Sequence, residues 1–127
     1  MPAIADYIAL SDVKHSIQKQ SDVSTNPTIW GTDFNLTSGT NINENSILAF
    51  IISTGTDASN LVLNIVINSS NQASYTFSGL RYLTIHEVIK ASPAVLKVGT
   101  NNISFSIQSG SGVLGVSDVV LFYKRNI

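Results

Sequence analysis

A chain of 127 residues with 43% hydrophobic and 12% charged side chains has room for one core and is short for two. Seven basic and eight acidic side chains leave a formal charge of −1, so no field of one sign exists to draw nucleic acid or an anionic membrane. The lack of cysteine excludes disulfides and thiolate metal sites.

Polarity is carried instead by 18 Ser, 10 Thr and 12 Asn, residues that hydrogen-bond without charge and suit turns and exposed strand faces. The 15 Ile and 11 Val favour a pleated surface over a helix. The opening, Met1-Pro2-Ala3-Ile4-Ala5-Asp6, has no basic region followed by an apolar one and does not read as a signal peptide. Strands are predicted at 4–10 and 13–18, then at 28–36, where Trp30, the sole tryptophan, lies in the polar setting Thr28-Ile29-Trp30-Gly31-Thr32-Asp33.

The next predicted strand, 46–53, is apolar on both faces from Ile47 to Ile52, a run too short to span a bilayer. After the turn cluster Ser53-Thr54-Gly55-Thr56-Asp57 comes 60–68, where Leu61, Leu63, Ile65 and Ile67 alternate with residues that include Asn64 and Asn68. The cluster Asn68-Ser69-Ser70-Asn71 leads to 72–78, in which Tyr75 shares a core face with Ala73 and Phe77. Strand 81–90 sets Tyr82, Thr84 and His86 on one face and Leu83, Ile85 and Ile89 on the other, with Arg81 at its start. Only Ile85 to Leu96 could hold a short helix, and Pro93 limits it.

Strand 101–108 alternates without a break over Ile103-Ser104-Phe105-Ser106-Ile107-Gln108. Strand 113–124 is again apolar on both faces at Val119 to Tyr123. A sandwich strand normally wets one face, so both doubly apolar strands need cover. Either the chain's own segments or a second subunit supplies it. If the two strands are neighbours, Leu48, Phe50, Ile52, Val120 and Phe122 form one candidate interface. Short strands with turns every 8–12 residues predict an all-β fold: a single-domain jelly-roll β-sandwich of two antiparallel sheets over 1–127.

The segments Leu96-Lys97-Val98-Gly99-Thr100-Asn101-Asn102-Ile103-Ser104-Phe105, Gly110-Ser111-Gly112 and Ser117-Asp118-Val119-Val120-Leu121-Phe122-Tyr123 carry a resemblance. They resemble the closing strands of galactose-binding-like jelly rolls, a group that includes many non-catalytic carbohydrate-binding modules. Leu61 to Asn68 is similar to a central strand of that group ending in Asn. The resemblance implies a lectin-like, non-catalytic module with a glycan or cell-surface carbohydrate as partner, and action outside the cell or at a surface. It also implies a structural calcium, for which the matching positions are Asp6 or Asp12 with Asp118; no other cofactor is expected.

A sugar needs an exposed aromatic platform beside groups that fork onto vicinal hydroxyls. Trp30, Tyr82 and His86 are the candidates, with Arg81, Asp33 and Asn68 as hydrogen-bonding partners. Trp30 suits a core anchor beside Phe34 and Leu36 equally well, and Tyr82 and His86 suit a plain solvated face.

Reactive chemistry is sparse. His15 and His86 show no metal-ligand spacing, no GxSxG elbow occurs, and the only glutamates are Glu44 and Glu87. Gly110-Ser111-Gly112-Val113-Leu114-Gly115 spells GxGxxG, but a strand follows where a nucleotide site needs a helix, so it reads as a hairpin turn. An enzyme is not expected. The low charge and doubly apolar strands also suit a self-assembling structural subunit of a particle, fibre or toxin complex, and either reading predicts a homo-oligomer.

Overall fold

The computed structural model describes residues 3–19 and 26–126, and among these it contains nine strands and no helix. They are β1 (Ala3–Ser11), β2 (His15–Gln18), β3 (Ile29–Leu36), β4 (Ser46–Thr54), β5 (Ser59–Ile67), β6 (Ser70–Phe77), β7 (Arg81–Ile89), β8 (Gly99–Ser111) and β9 (Val113–Asn126). Two antiparallel sheets result. The first has the order β1-β9-β4-β7, with β2 also on β9; the second has the order β3-β8-β5-β6. This is the predicted jelly-roll sandwich, and each of the nine predicted strands is present. β9 is long enough to pair with two partners along one side: β2 against Val113–Val116 and β1 against Val119–Asn126.

The core lies between the sheets. β5 supplies Leu61, Leu63, Ile65 and Ile67, and β8 supplies Ile103, Phe105 and Ile107, all from the period-two faces read in the sequence. Each fully buried aliphatic or aromatic side chain contributes about 1.5–3 kcal/mol. Phe50 meets Phe105 edge to face at a centroid distance of 5.3 Å, joining the two sheets at the centre.

β4 and β9 are neighbours, as the candidate interface required. The grouping of its residues is corrected, however. Leu48, Phe50 and Ile52 are 0%, 1% and 0% exposed and belong to the core, whereas Val120 and Phe122 point away from it. A strand apolar on both faces has no alternation to say which face is inward. The outward set on β4 is Ile47, Ala49 and Ile51.

The glycine-rich segment 110–115 does not close a hairpin. β8 and β9 belong to different sheets, so the chain turns a corner from one sheet to the other there. Gly110 and Gly112 adopt φ of 95° and 103°, and a Cβ on Gly110 would run into the Asn60 backbone. The true two-residue hairpin is β5–β6, where Asn68 and Ser69 both have positive φ between the paired residues Ile67 and Ser70. Residues 85–96 form no helix: β7 runs to Ile89 and turns follow.

Candidate binding face

Strand register builds a surface on the outer side of the first sheet. Tyr7, Phe122, Ile47 and Val88 stand in one row across β1, β9, β4 and β7. The next row is Ala9, Val120, Ala49 and His86. Beyond the bulge at Asp118, Ser117 aligns with Ile51 and Thr84, and Gly115 aligns with Ser53 and Tyr82. Small side chains, Ala9, Ala49, Ser53 and Ser117, alternate there with Val120 and Ile51, and the Lys14 stem covers Gly115. Rings stand at both ends of this face. Tyr7 is 64% exposed, Phe122 44% and Tyr82 76%.

Tyr7 and Phe122 form a tilted pair with centroids 6.2 Å apart. Tyr82 lies about 25 Å away, three strands across and six residues along. On the far side of Phe122 is a hollow of about 250 Å³ lined by Ala5, Asn45, Ile47, Phe122, Tyr123 and Lys124. The Asn45 side-chain oxygen accepts from the Ala91 amide, which holds this side chain at the rim. A sheet face with exposed rings offers stacking area, and Asn45, Lys124, His86 and Ser53 offer hydrogen bonds.

The six predicted ligand residues do not converge. Trp30 faces inward from β3 and is half-buried. It stacks on His15 of β2 at 4.1 Å and tilts against Phe105 at 5.7 Å, closing the sandwich between β2 and β3. Tyr82 and His86 sit on the opposite edge, on β7, and Arg81 occupies the other face of that strand. Asp33 is exposed on the outer side of the second sheet and accepts a 2.9 Å bond from the Asn102 side chain.

Asn68 is committed to structure. Its Nδ2 donates to the Val95 carbonyl and to Asn101 Oδ1, and its Oδ1 accepts from the Asn102 amide. Asn101, 1% exposed, donates to the Lys97 and Gly99 carbonyls and accepts from the Lys97 amide. This amide cluster explains the Gly-Thr-Asn-Asn stretch: it pins the entry to β8 against the β5–β6 turn.

Of the calcium candidates, Asp6 lies apart from the other two. Asp6 forms a 3.1 Å ion pair with Arg125 near the end of β9. The Tyr7 amide and then the Arg125 guanidinium hold its carboxyl below the usual carboxylate value. Asp12 directly follows Ser11 in the β1–β2 turn and Asp118 directly precedes Val119 in the β9 bulge, so the Ser11–Val119 pair brings these two residues to the same end of β1, away from Asp6. No three His, Asp or Glu side chains come together among the described residues.

Tyr7 was absent from the predicted site, yet its signal is present. Ile8 and Leu10 claim one face of β1 for the core, which leaves Tyr7 between Ala5 and Ala9 on the other. The His15–Trp30 stack had no local signal, because it joins strands of different sheets.

No protein-family model matches the sequence, and no curated protein matches it. Solved structures do share the fold. A part of dimeric latent PorU from Porphyromonas gingivalis superposes with a TM-score of 0.75 at 7% identity, over 99% of this chain and 13% of that one. A family 35 carbohydrate-binding module from Clostridium thermocellum superposes with a TM-score of 0.52 at 14% identity, over 92% of this chain and 97% of that one. The chain thus spans a small part of PorU and nearly the full length of the module. Its two antiparallel sheets form the jelly-roll sandwich that carbohydrate-binding modules use.

Proposed function

We propose that this jelly roll is a non-catalytic carbohydrate-binding module that holds a glycan across the outer face of its first sheet. The exposed Tyr7–Phe122 pair carries the reading: two rings stand together on the outer face, where they can stack on the apolar face of a pyranose. The hollow beside Phe122 accepts one sugar unit, with Asn45 and Lys124 in reach of its hydroxyls. Tyr82 and His86 make a second contact point for an extended chain. The fold shared with the family 35 module supports this reading. It needs no cofactor, and it places the protein at a glycan-bearing surface outside the cell.

A glycan array followed by calorimetric titration tests it. The expected result is a set of retained glycans whose affinity falls about tenfold for each ring removed in Tyr7→Ala and Phe122→Ala, with the fold intact by circular dichroism. Unchanged affinity in the double variant removes the platform, and retention of no glycan removes the function.

The continuous apolar row Tyr7–Phe122–Ile47–Val88 favours a second reading, a self-assembling structural subunit. Ordered assemblies in electron micrographs that form without glycan and are lost in Ile47→Lys would select it.

A further inference from the structure

An edge strand presents unpaired N–H and C=O groups and invites another strand. β7 is such an edge. Its nine residues pair with β4 without a register shift, and among the described residues no other segment bonds to its backbone. β1 and β6, edges in their own right, are interrupted by bulges or irregularities in their pairings, and the edge strand β3, paired with β8 without a shift, contains Gly31. The β7 sequence, Arg81-Tyr82-Leu83-Thr84-Ile85-His86-Glu87-Val88-Ile89, contains no proline or glycine to blunt it. It also carries exposed apolar side chains at Tyr82, Leu83 and Val88, with Leu80 just before it.

We propose that β7 pairs antiparallel with β7 of a second copy of this chain, about a two-fold axis at Thr84. The register follows from self-complementarity. With Thr84 opposite Thr84, Arg81 falls opposite Glu87, Tyr82 opposite His86, Leu83 opposite Ile85, and Leu80 opposite Val88. Each unlike pair occurs twice. Residues directly opposite share a face, so Arg81 meets Glu87 on the inner side and Tyr82 meets His86 on the outer side. Centring on Ile85 instead sets Glu87 against Leu83 and Arg81 against Ile89, which pairs charge with hydrocarbon. Centring on Leu83 leaves Glu87 with no opposite residue in the partner's β7. Only the Thr84 register matches charge with charge and apolar with apolar.

Space for the partner exists. A hollow of about 480 Å³ flanks the His86–Val88 end of the strand, between β7 and the start of β6. Glu87 also lies near the Tyr75 hydroxyl, and a carboxylate has acceptor capacity for both Tyr75 and the partner's guanidinium. The joined sheets would form one continuous surface, so two copies of the outer face described above would lie side by side. This dimer uses a surface separate from the β4–β9 patch expected from the sequence, and it does not depend on what that outer face binds.

Sedimentation velocity on the full chain and its charge variants tests the pairing. The expected result is a wild-type dimer, weakened about tenfold or more in Arg81→Glu alone and in Glu87→Arg alone, since each places two like-charge pairs in the interface. Mixing the two variants restores dimerisation, because both acidic side chains on the edge of one copy then face both basic side chains of the other. Circular dichroism confirms that both variants are folded, and Arg81→Glu leaves Glu87 and Tyr75 untouched. A wild type that stays monomeric up to about 1 mM overturns the proposal. So does a dimer indifferent to either reversal, or a mixture that gains nothing over its components.

Discussion

Asn101 shows how much a single buried amide can carry. It bridges Lys97, Gly99 and Asn68, and a methyl group in its place strands the Lys97 amide, two carbonyls and one Asn68 donor. Asn101→Ala is expected to cost about 3 kcal/mol in urea unfolding, against under about 1 kcal/mol for the exposed Asn35→Ala. Trp30 makes a related point about aromatic residues in polar surroundings. Its ring is sandwiched by His15 and Phe105, so Trp30→Ala is expected to lower stability by about 2–3 kcal/mol. Glycan affinity measured below the melting transition should be unchanged, since the ring is on the inner side and the Tyr7–Phe122 pair on the outer. Equal stability with weakened glycan binding would return Trp30 to the role of platform.

Among elements, the strands on the open edge differ from those at the centre. β6 and β7 end the two sheets on the same side of the sandwich, and Tyr75 of β6 lies near Glu87 of β7. Burial first, and then the Glu87 carboxylate, push the Tyr75 hydroxyl from 10.0 up to about 12. A raised phenol value means that the native state holds its proton to higher pH than the unfolded chain. The contribution of Tyr75 is therefore whole below pH 10.0 and declines as pH climbs toward about 12. The stability gap between wild type and Tyr75→Phe should be constant at neutral pH and change only across that alkaline window, read by urea unfolding beside phenolate absorbance. A gap that changes between about pH 6 and 9, outside that window, would contradict the placement of Tyr75 near Glu87. At the other end of the chain of elements, the β8–β9 corner depends on backbone freedom. Gly110 and Gly112 let the chain leave one sheet and enter the other within a few residues, next to Asn60 and Ala58.

For the whole molecule, local pattern and long-range arrangement divide along a physical line. The existence and order of all nine strands were legible because alternation such as Leu61-Val62-Leu63-Asn64-Ile65 reports which side meets hydrocarbon, and Ser, Asn and Gly clusters report where the chain turns. The two-sheet class followed from that, since short strands with one apolar face each can bury it only against another sheet. What no local window contains is the partner of each strand. The inward face of β4 was decided by the second sheet lying over Phe50, because both of its faces are apolar. Trp30 went inward because His15 arrived from the other sheet to cover it. Asn68 became a structural clamp because Asn101, distant in sequence, came to rest beside it. The sequence by itself determined the kind and order of elements, through side-chain period and backbone preference. The tertiary structure alone decided which side chains were spent on the fold and which, like Tyr7, Phe122 and the β7 edge, were left facing outward, because that depends on contacts between strands far apart along the chain.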